Sequence, residues 1–182
     1  MLTDDRAAAA AEPLATEVVT RRDDPSRVQD AALVAHILEH HHSYTRRTLP
    51  YVVALLAKVA GRHRSRNAKL AALCDAGQEL ADAVETHQED EERDLFPAIL
   101  AGAPVGDALR RELDRTLRSH SELRLLLARI RWLADDYSVP AWGGRSYQAL
   151  MEELQALEED VLQHLHVESS VLLPRLGSRV AC

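Results

Sequence analysis

A histidine followed four residues later by a glutamate occurs twice, as His87/Glu91 and as His164/Glu168, and the second pair lies 77 residues after the first. Around the first pair, Leu70, Leu73, Gly77, Leu80, Val84 and Leu95 recur at steps of three and four, and Leu150, Leu154, Leu157, Val161 and Val171 do so around the second. That spacing marks one face of an α-helix, so the imidazoles and carboxylates point where the leucines point. A lone carboxylate in an apolar core is costly, and it takes up a proton or gains a counter-charge. Two His-Glu pairs in one core therefore ask for a cation.

The rest of the chain repeats the helical rhythm. Hydrophobic residues make up 46% but aromatics only 4%, with seven glycines and seven prolines, which favours Ala/Leu-rich helix packing over a β-sandwich. Residues 1–27 carry no sustained apolar period and read as a flexible Ala-rich arm. Val28, Ala31, Ala35, Leu38, His42, Leu49, Val53 and Leu56 form a first stripe running to about Arg62, which Pro50 must kink or split. After a basic loop (Gly61 to Asn67), a second helix fills Ala68 to Ile99. A third stripe is Leu109, Leu113, Leu117, His120, Leu127 and Ile130, and a fourth helix spans Tyr147 to about Leu173. Breaks at 102–106 and 140–144 separate them. Four long amphipathic segments joined by short loops predict an all-α, up-down-up-down four-helix bundle over 28–176, followed by a short tail at 177–182. The halves repeat as helical hairpins: His42 to His87 is 45 residues, His120 to His164 is 44, and Pro97 and Pro174 each follow their histidine by ten.

In antiparallel neighbours, residues equally far from the connecting loop lie level. His42 and His87 stand 23 and 22 residues from Ser65, His87 and His120 stand 17 and 16 from Pro104, and His120 and His164 both stand 22 from Trp142. At about 1.5 Å rise per residue these mismatches are roughly 1–2 Å. His42, His87, Glu91, His120, His164 and Glu168 are thus expected in one layer. Four imidazoles and two carboxylates suit two irons or manganeses bridged by the carboxylates, each holding two histidines, with positions left for water, O2 or NO. Zinc fits less well, because structural zinc prefers four closed ligands and often sulfur.

The remaining histidines are assigned elsewhere. Of His40, His41 and His42, only one can face the core at 100° per residue, and His42 lies on the stripe. His36 and His40 read as a solvated face, and His166 as a supporting or surface group. His63 is 21 residues from His42, roughly 31 Å along a continuous helix, and joins the site only if Pro50 turns the chain back. Glu89-Asp90-Glu91-Glu92 and Glu158-Glu159-Asp160 read as solvated faces, with Glu91 alone in the inward phase. Tyr44, Tyr137 and Tyr147 read as packing residues.

A net charge of −7 argues against nucleic-acid binding. No apolar run approaches the roughly 20 residues of a membrane span, and the opening acids do not suit a signal peptide. Cys74 and Cys182 form no metal or disulfide pattern. A cytoplasmic setting is expected. No glycine-rich phosphate loop and no Ser/His/Asp order points to nucleophilic catalysis.

The chain resembles the hemerythrin-like (HHE cation-binding) family over nearly all of Val28–Leu176. The residues that carry the resemblance are His36-Ile-Leu…His42…Leu49-Pro50, His87-x3-Glu91-x3-Leu95-Phe96-Pro97, Ile130-Arg131-x-Leu133…Tyr137-x-x-Pro140 and His164-Leu-His-Val-Glu168-Ser-Ser-Val-Leu-Leu-Pro174-Arg175. They are most similar to the repair-of-iron-centres branch. The resemblance implies two non-haem irons, or manganese, with an oxo or hydroxo bridge, held by the six residues with both glutamates bridging. It implies reaction with NO or O2 in nitrosative or oxidative stress, with damaged iron–sulfur proteins as partners. His63 matches a family histidine after a Lys-Val pair, here Lys58-Val59. The alternatives are an O2 or NO carrier or sensor without turnover, and an O2-activating di-iron oxidase. Ser119 and Ser121 stand where acidic neighbours of His120 are often found. Arg124 stands where oxygen carriers place a second histidine, which weighs against simple reversible O2 carriage.

Overall fold

The computed structural model describes residues 30–102 and 106–177. Four long rods form an antiparallel bundle. The first, α1, comprises Asp30–His36, a wide π-helical turn over Ile37–His42, and Ser43–His63. The second, α2, comprises Lys69–Asp90, a wide turn over Glu91–Leu95, and Phe96–Leu100. The third, α3, is the uninterrupted helix Asp107–Leu133, and α4 comprises Arg145–Val167, a wide turn over Glu168–Leu172, and Leu173–Gly177. Each rod packs on the next, and α4 closes back onto α1. The proposed arm at 1–27 and most of the tail at 177–182 lie outside the described residues, as does Pro104 in the middle loop.

The inward stripes of α2 and α4 fall where their spacing places them, with Leu70, Leu73, Leu80, Val84, Leu95, Leu150, Leu154, Leu157 and Val161 all buried. At Gly77 the first two rods approach so closely that a Cβ would collide with the Leu56 side chain. The core divides into two blocks. The larger block gathers Leu49, Leu56, Leu73, Leu80, Leu127 and Leu154, and the smaller gathers Ile37, Leu95, Phe96, Ile99, Leu109 and Leu172 at the opposite end. The six polar residues singled out in the sequence lie between these blocks along every rod.

The start of α1, and Leu117 in α3, depart from the expected phase. Ala31 and Ala35 are exposed, while Leu33, Val34 and Ile37 are buried. The wide turn at Ile37–His42, closed by the Ser43 N–H on the Leu38 carbonyl, adds a residue to the turn and rotates everything N-terminal to it. In α3 the buried phase runs through Leu109, Thr116, His120, Leu123, Leu127 and Ile130, leaving Leu117 48% exposed. Pro50 does not split α1, because the helix Ser43–His63 runs through it. Pro97 and Pro174 each lie just beyond a wide turn, where the hydrogen-bond ladder has already slipped and a missing N–H is tolerated.

The connection after α3 is held from within. Asp135, Asp136 and Tyr137 all have left-handed backbones, with φ of 50°, 53° and 62°. Such a conformation is disfavoured for a bulky residue and persists only where side chains fix it. The Tyr137 hydroxyl donates to Glu158 Oε2 at 2.7 Å, and Arg131 grips the same carboxylate at 3.1 Å and 2.6 Å. Glu158 is therefore buried at 4% exposure rather than solvated as its acidic run suggested. Burial and the bond to Glu158 push the Tyr137 hydroxyl well above its usual pKa, so it remains a donor. Tyr137→Phe removes one buried hydrogen bond to a charge, and we expect it to lower unfolding free energy by about 1–3 kcal/mol. Urea denaturation checks this, and an unchanged midpoint would show that the hydroxyl does not hold the loop.

Candidate metal centre

His42 comes from the last position of the wide turn in α1, His87 and Glu91 from α2, His120 from α3, and His164 and Glu168 from α4. All six are at most 3% exposed. Their donor atoms form two overlapping groups, His42/Glu91/His164/Glu168 and His87/Glu91/His120/Glu168, each compact enough to hold a metal ion. The two imidazole pairs are matched, with ring centroids 4.9 Å apart for His42–His164 and 5.0 Å for His87–His120.

The glutamates lie between the pairs and divide their oxygens. Glu168 Oε1 is 3.0 Å from His164 Nε2, while Oε2 is 3.0 Å from His120 Nε2 and 3.8 Å from His87 Nε2. Glu91 Oε2 is 3.4 Å from His42 Nε2 and 3.8 Å from His164 Nε2, while Oε1 is 3.5 Å from His87 Nε2. Each carboxylate thus turns one oxygen to each side.

The donor set fits a pair of cations. His42 Nε2, His87 Nε2, His164 Nε2, both Glu91 oxygens and Glu168 Oε1 are buried without a hydrogen-bond partner. So many orphaned polar atoms facing one interior point would each cost about 1–3 kcal/mol if nothing paired with them. Imidazole nitrogen and carboxylate oxygen together are ligands for iron and manganese.

Other groups turn the rings. His42 Nδ1–H donates to Glu92 Oε1 at 2.6 Å, and Arg46 binds the same oxygen at 2.6 Å. His120 Nδ1 meets Ser169 Oγ at 2.9 Å. The Glu92 carboxylate can only accept, so it fixes the His42 tautomer that leaves Nε2 without a proton, while Ser169 orients the His120 ring. Glu92 is thus a working neighbour rather than a solvated bystander. Ser169, not Ser119 or Ser121, touches the ring on α3. Ser121 instead bonds the Leu117 carbonyl at the surface. Thr45 is fully buried, and its hydroxyl bonds the carbonyls of His41 and His42 while receiving a 2.6 Å bond from Gln88. It ties the wide turn to α2.

Two expectations need correction. His63 does not join the layer: it packs beside Trp142 and Tyr147 at the far end of α1, with ring centroids 5.4 Å and 6.1 Å away, because the helix passes through Pro50 without reversing. His41 is buried as well as His42, because a wide turn does not keep the 100° step of an α-helix. Tyr147 packs in the core as expected, and its hydroxyl also accepts a bond from Asn67 at 3.1 Å. His166 is exposed and paired with Ser170, a surface role.

Electrostatics without metal follow from burial. Burial and the neighbouring His164 lower His42 to about 4, and burial lowers His87 to about 3 against the pull of Glu168, so both rings stay neutral. Burial and the adjacent Glu168 raise Glu91 well above the usual carboxylate range. Burial acts on Glu168 in the same sense, but the adjacent His164 and hydrogen bonds from His120 and His164 outweigh it and hold this carboxyl well below the usual range. A groove of about 400 Å³ between α2 and α3, lined by Asp82, Thr86, Asp90, Arg115 and Ser119, reaches the edge of His87.

This is the architecture of a hemerythrin-type bundle, four antiparallel helices around a two-centre His/Glu cluster. The chain belongs to the hemerythrin HHE cation-binding domain family, whose pattern matches residues 33–176. It is similar to the iron-sulfur cluster repair protein DnrN of Neisseria gonorrhoeae, at 29% identity over 146 residues, 80% of this chain and 90% of the relative. It is also similar to the iron-sulfur cluster repair proteins YtfE of Musicola paradisiaca (strain Ech703), 26% identical over 143 residues, and of Dickeya chrysanthemi (strain Ech1591), 27% identical over 165. The alignments take in 79% and 89% of this chain, and the chain spans 64% of the Musicola protein's length and 72% of the Dickeya protein's. Among the described residues no helix is long and apolar enough to cross a membrane.

The raised pKa of Glu91 has a measurable consequence in metal-free protein. A carboxyl raised on folding contributes stability below its unfolded pKa of about 4.3 and loses it as pH rises. Glu91→Gln should therefore stabilise the metal-free protein at pH 8, with a smaller gain at pH 4.5, while lowering metal uptake. Thermal unfolding in chelator checks this; a gain independent of pH would contradict the assignment.

Proposed function

We propose that this chain is a non-haem di-iron protein that reacts with NO or O2 in nitrosative or oxidative stress, in the service of iron–sulfur cluster repair. The observation that carries this reading is the division of the Glu91 and Glu168 oxygens between two matched imidazole pairs. One iron would be held by His42 and His164, the other by His87 and His120, with both glutamates between them. Irons held there supply Lewis acidity and electrons toward a diatomic ligand.

The chain's own residues do the rest. The imidazoles present their Nε2 atoms to the interior, Glu92 holds the His42 ring in the productive tautomer, Ser169 orients the His120 ring, and the apolar blocks above and below keep bulk water out. The groove beside His87 is wide enough for a diatomic molecule to approach that half of the site. Arg124 is exposed and adds no ligand, so each half keeps two imidazoles and the arrangement remains symmetric. The repair role is supported by the similarity to the three repair proteins, and damaged iron–sulfur proteins are the proposed partners. A cytoplasmic setting follows from that role.

Anaerobic loading with ferrous iron should give about two irons per chain, and either His87→Ala or Glu168→Ala should lose most of that iron. Normal iron content in both variants would refute the reading. Exposure of the loaded protein to NO then separates its forms: N2O release supports reduction, whereas a reversible complex without product supports a carrier or sensor.

A further inference from the structure

Three histidines that the central layer does not use gather near the start of α1. The His36 and His40 rings lie one turn apart with centroids at 4.4 Å, and His36 meets His41 edge to face at 5.6 Å. His41 is 6% exposed. Its Nδ1–H donates to Asp160 Oδ1 on α4 at 2.9 Å, and its Nε2 is buried with no partner. His42 shows the same division, a carboxylate on Nδ1 and a free Nε2. A carboxylate there sets the tautomer and raises the basicity of the opposite nitrogen, which is how proteins prepare an imidazole to bind a metal. Yet His41 belongs to neither inner group. Its ring stacks on His164 at 5.5 Å and 10°, beside the inner layer rather than in it.

We propose that His36, His40 and His41 form an outer site for one divalent first-row transition ion, adjacent to the inner centre. His41 is the fixed anchor, held by Asp160. The three donor sets are not gathered as the inner ones are, so an ion would have to draw His36, half-buried, and His40, exposed, toward the anchor by side-chain rotation. Asp160 orients the anchor and is not a ligand, since it occupies the nitrogen opposite the free one. Burial and then His40 and His41 keep His36 below its usual pKa, so its lone pair is available at neutral pH. Three imidazoles suit borderline ions such as iron(II), cobalt(II) or zinc(II) and disfavour calcium and magnesium, which take oxygen ligands. The outer site shares no ligand with the inner one, so the two readings stand or fall separately.

Titration of the full metal-free chain with cobalt(II) alone, followed by calorimetry and visible absorption, tests the proposal. We expect a weaker uptake of about one ion beyond those taken by the inner centre. His36→Ala/His40→Ala should lose that event and retain the tight ones. Asp160→Asn should weaken it by about 10–100-fold. Glu91→Ala/Glu168→Ala should lose the tight events and keep the weak one; if it binds as the unaltered chain does, the inner reading fails while the outer one stands. Absence of the weaker event from the unaltered chain, or its persistence unchanged in His36→Ala/His40→Ala, would overturn the proposal.

Discussion

Two carboxyl groups and four imidazoles at one height inside a leucine-rich bundle constrain everything else in this molecule. Burying one unpaired charge would cost more than most single interactions can offset. Glu91 and Glu168 are nevertheless no more than 1% exposed, a few ångströms apart, with imidazole nitrogens on both sides. The metal-free protein answers by keeping a proton on Glu91 and leaving the charge on Glu168 to the histidines. Two cations would remove the conflict altogether, which is why the layer reads as built for them.

Local departures from helical regularity cluster around that layer. Wide turns contain His42 and begin at both glutamates, whereas α3, which contributes only His120, has none. A π-helical turn changes the direction of the side chains beyond it and frees backbone carbonyls, and such turns gather at functional sites. Here the freed groups find local partners, as where Thr45 bonds the carbonyls of His41 and His42. The apolar blocks on either side keep ordinary helix packing, so the irregularity remains confined to the polar belt.

The helical period carried most of this organisation. It marked the four rods, their inward faces on α2 and α4, and the six polar residues, because those signals repeat every three to four positions. What it could not carry falls into two kinds. The wide turns break the period itself, which is why Ala31 and Ala35 turn outward and why His41 and His42 are buried side by side. Cross-helix partners have no period at all: Asp160 with His41, Ser169 with His120, and the Tyr137–Glu158–Arg131 group join residues whose relation depends on the packed bundle. An acidic run such as Glu158-Glu159-Asp160 looks solvated until a neighbouring helix covers it. His63 shows the converse, a resemblance-based expectation that simple helix length already opposed.

Chemistry and architecture thus meet in the placement of two oxygens per glutamate, one toward each imidazole pair. Anomalous diffraction at the iron edge from crystals of iron-loaded protein tests that arrangement most directly. Two peaks about 3.5–4 Å apart, one beside His42 and His164 and one beside His87 and His120, with Glu91 and Glu168 spanning both, are expected. A single peak, or peaks away from the two glutamates, would contradict it.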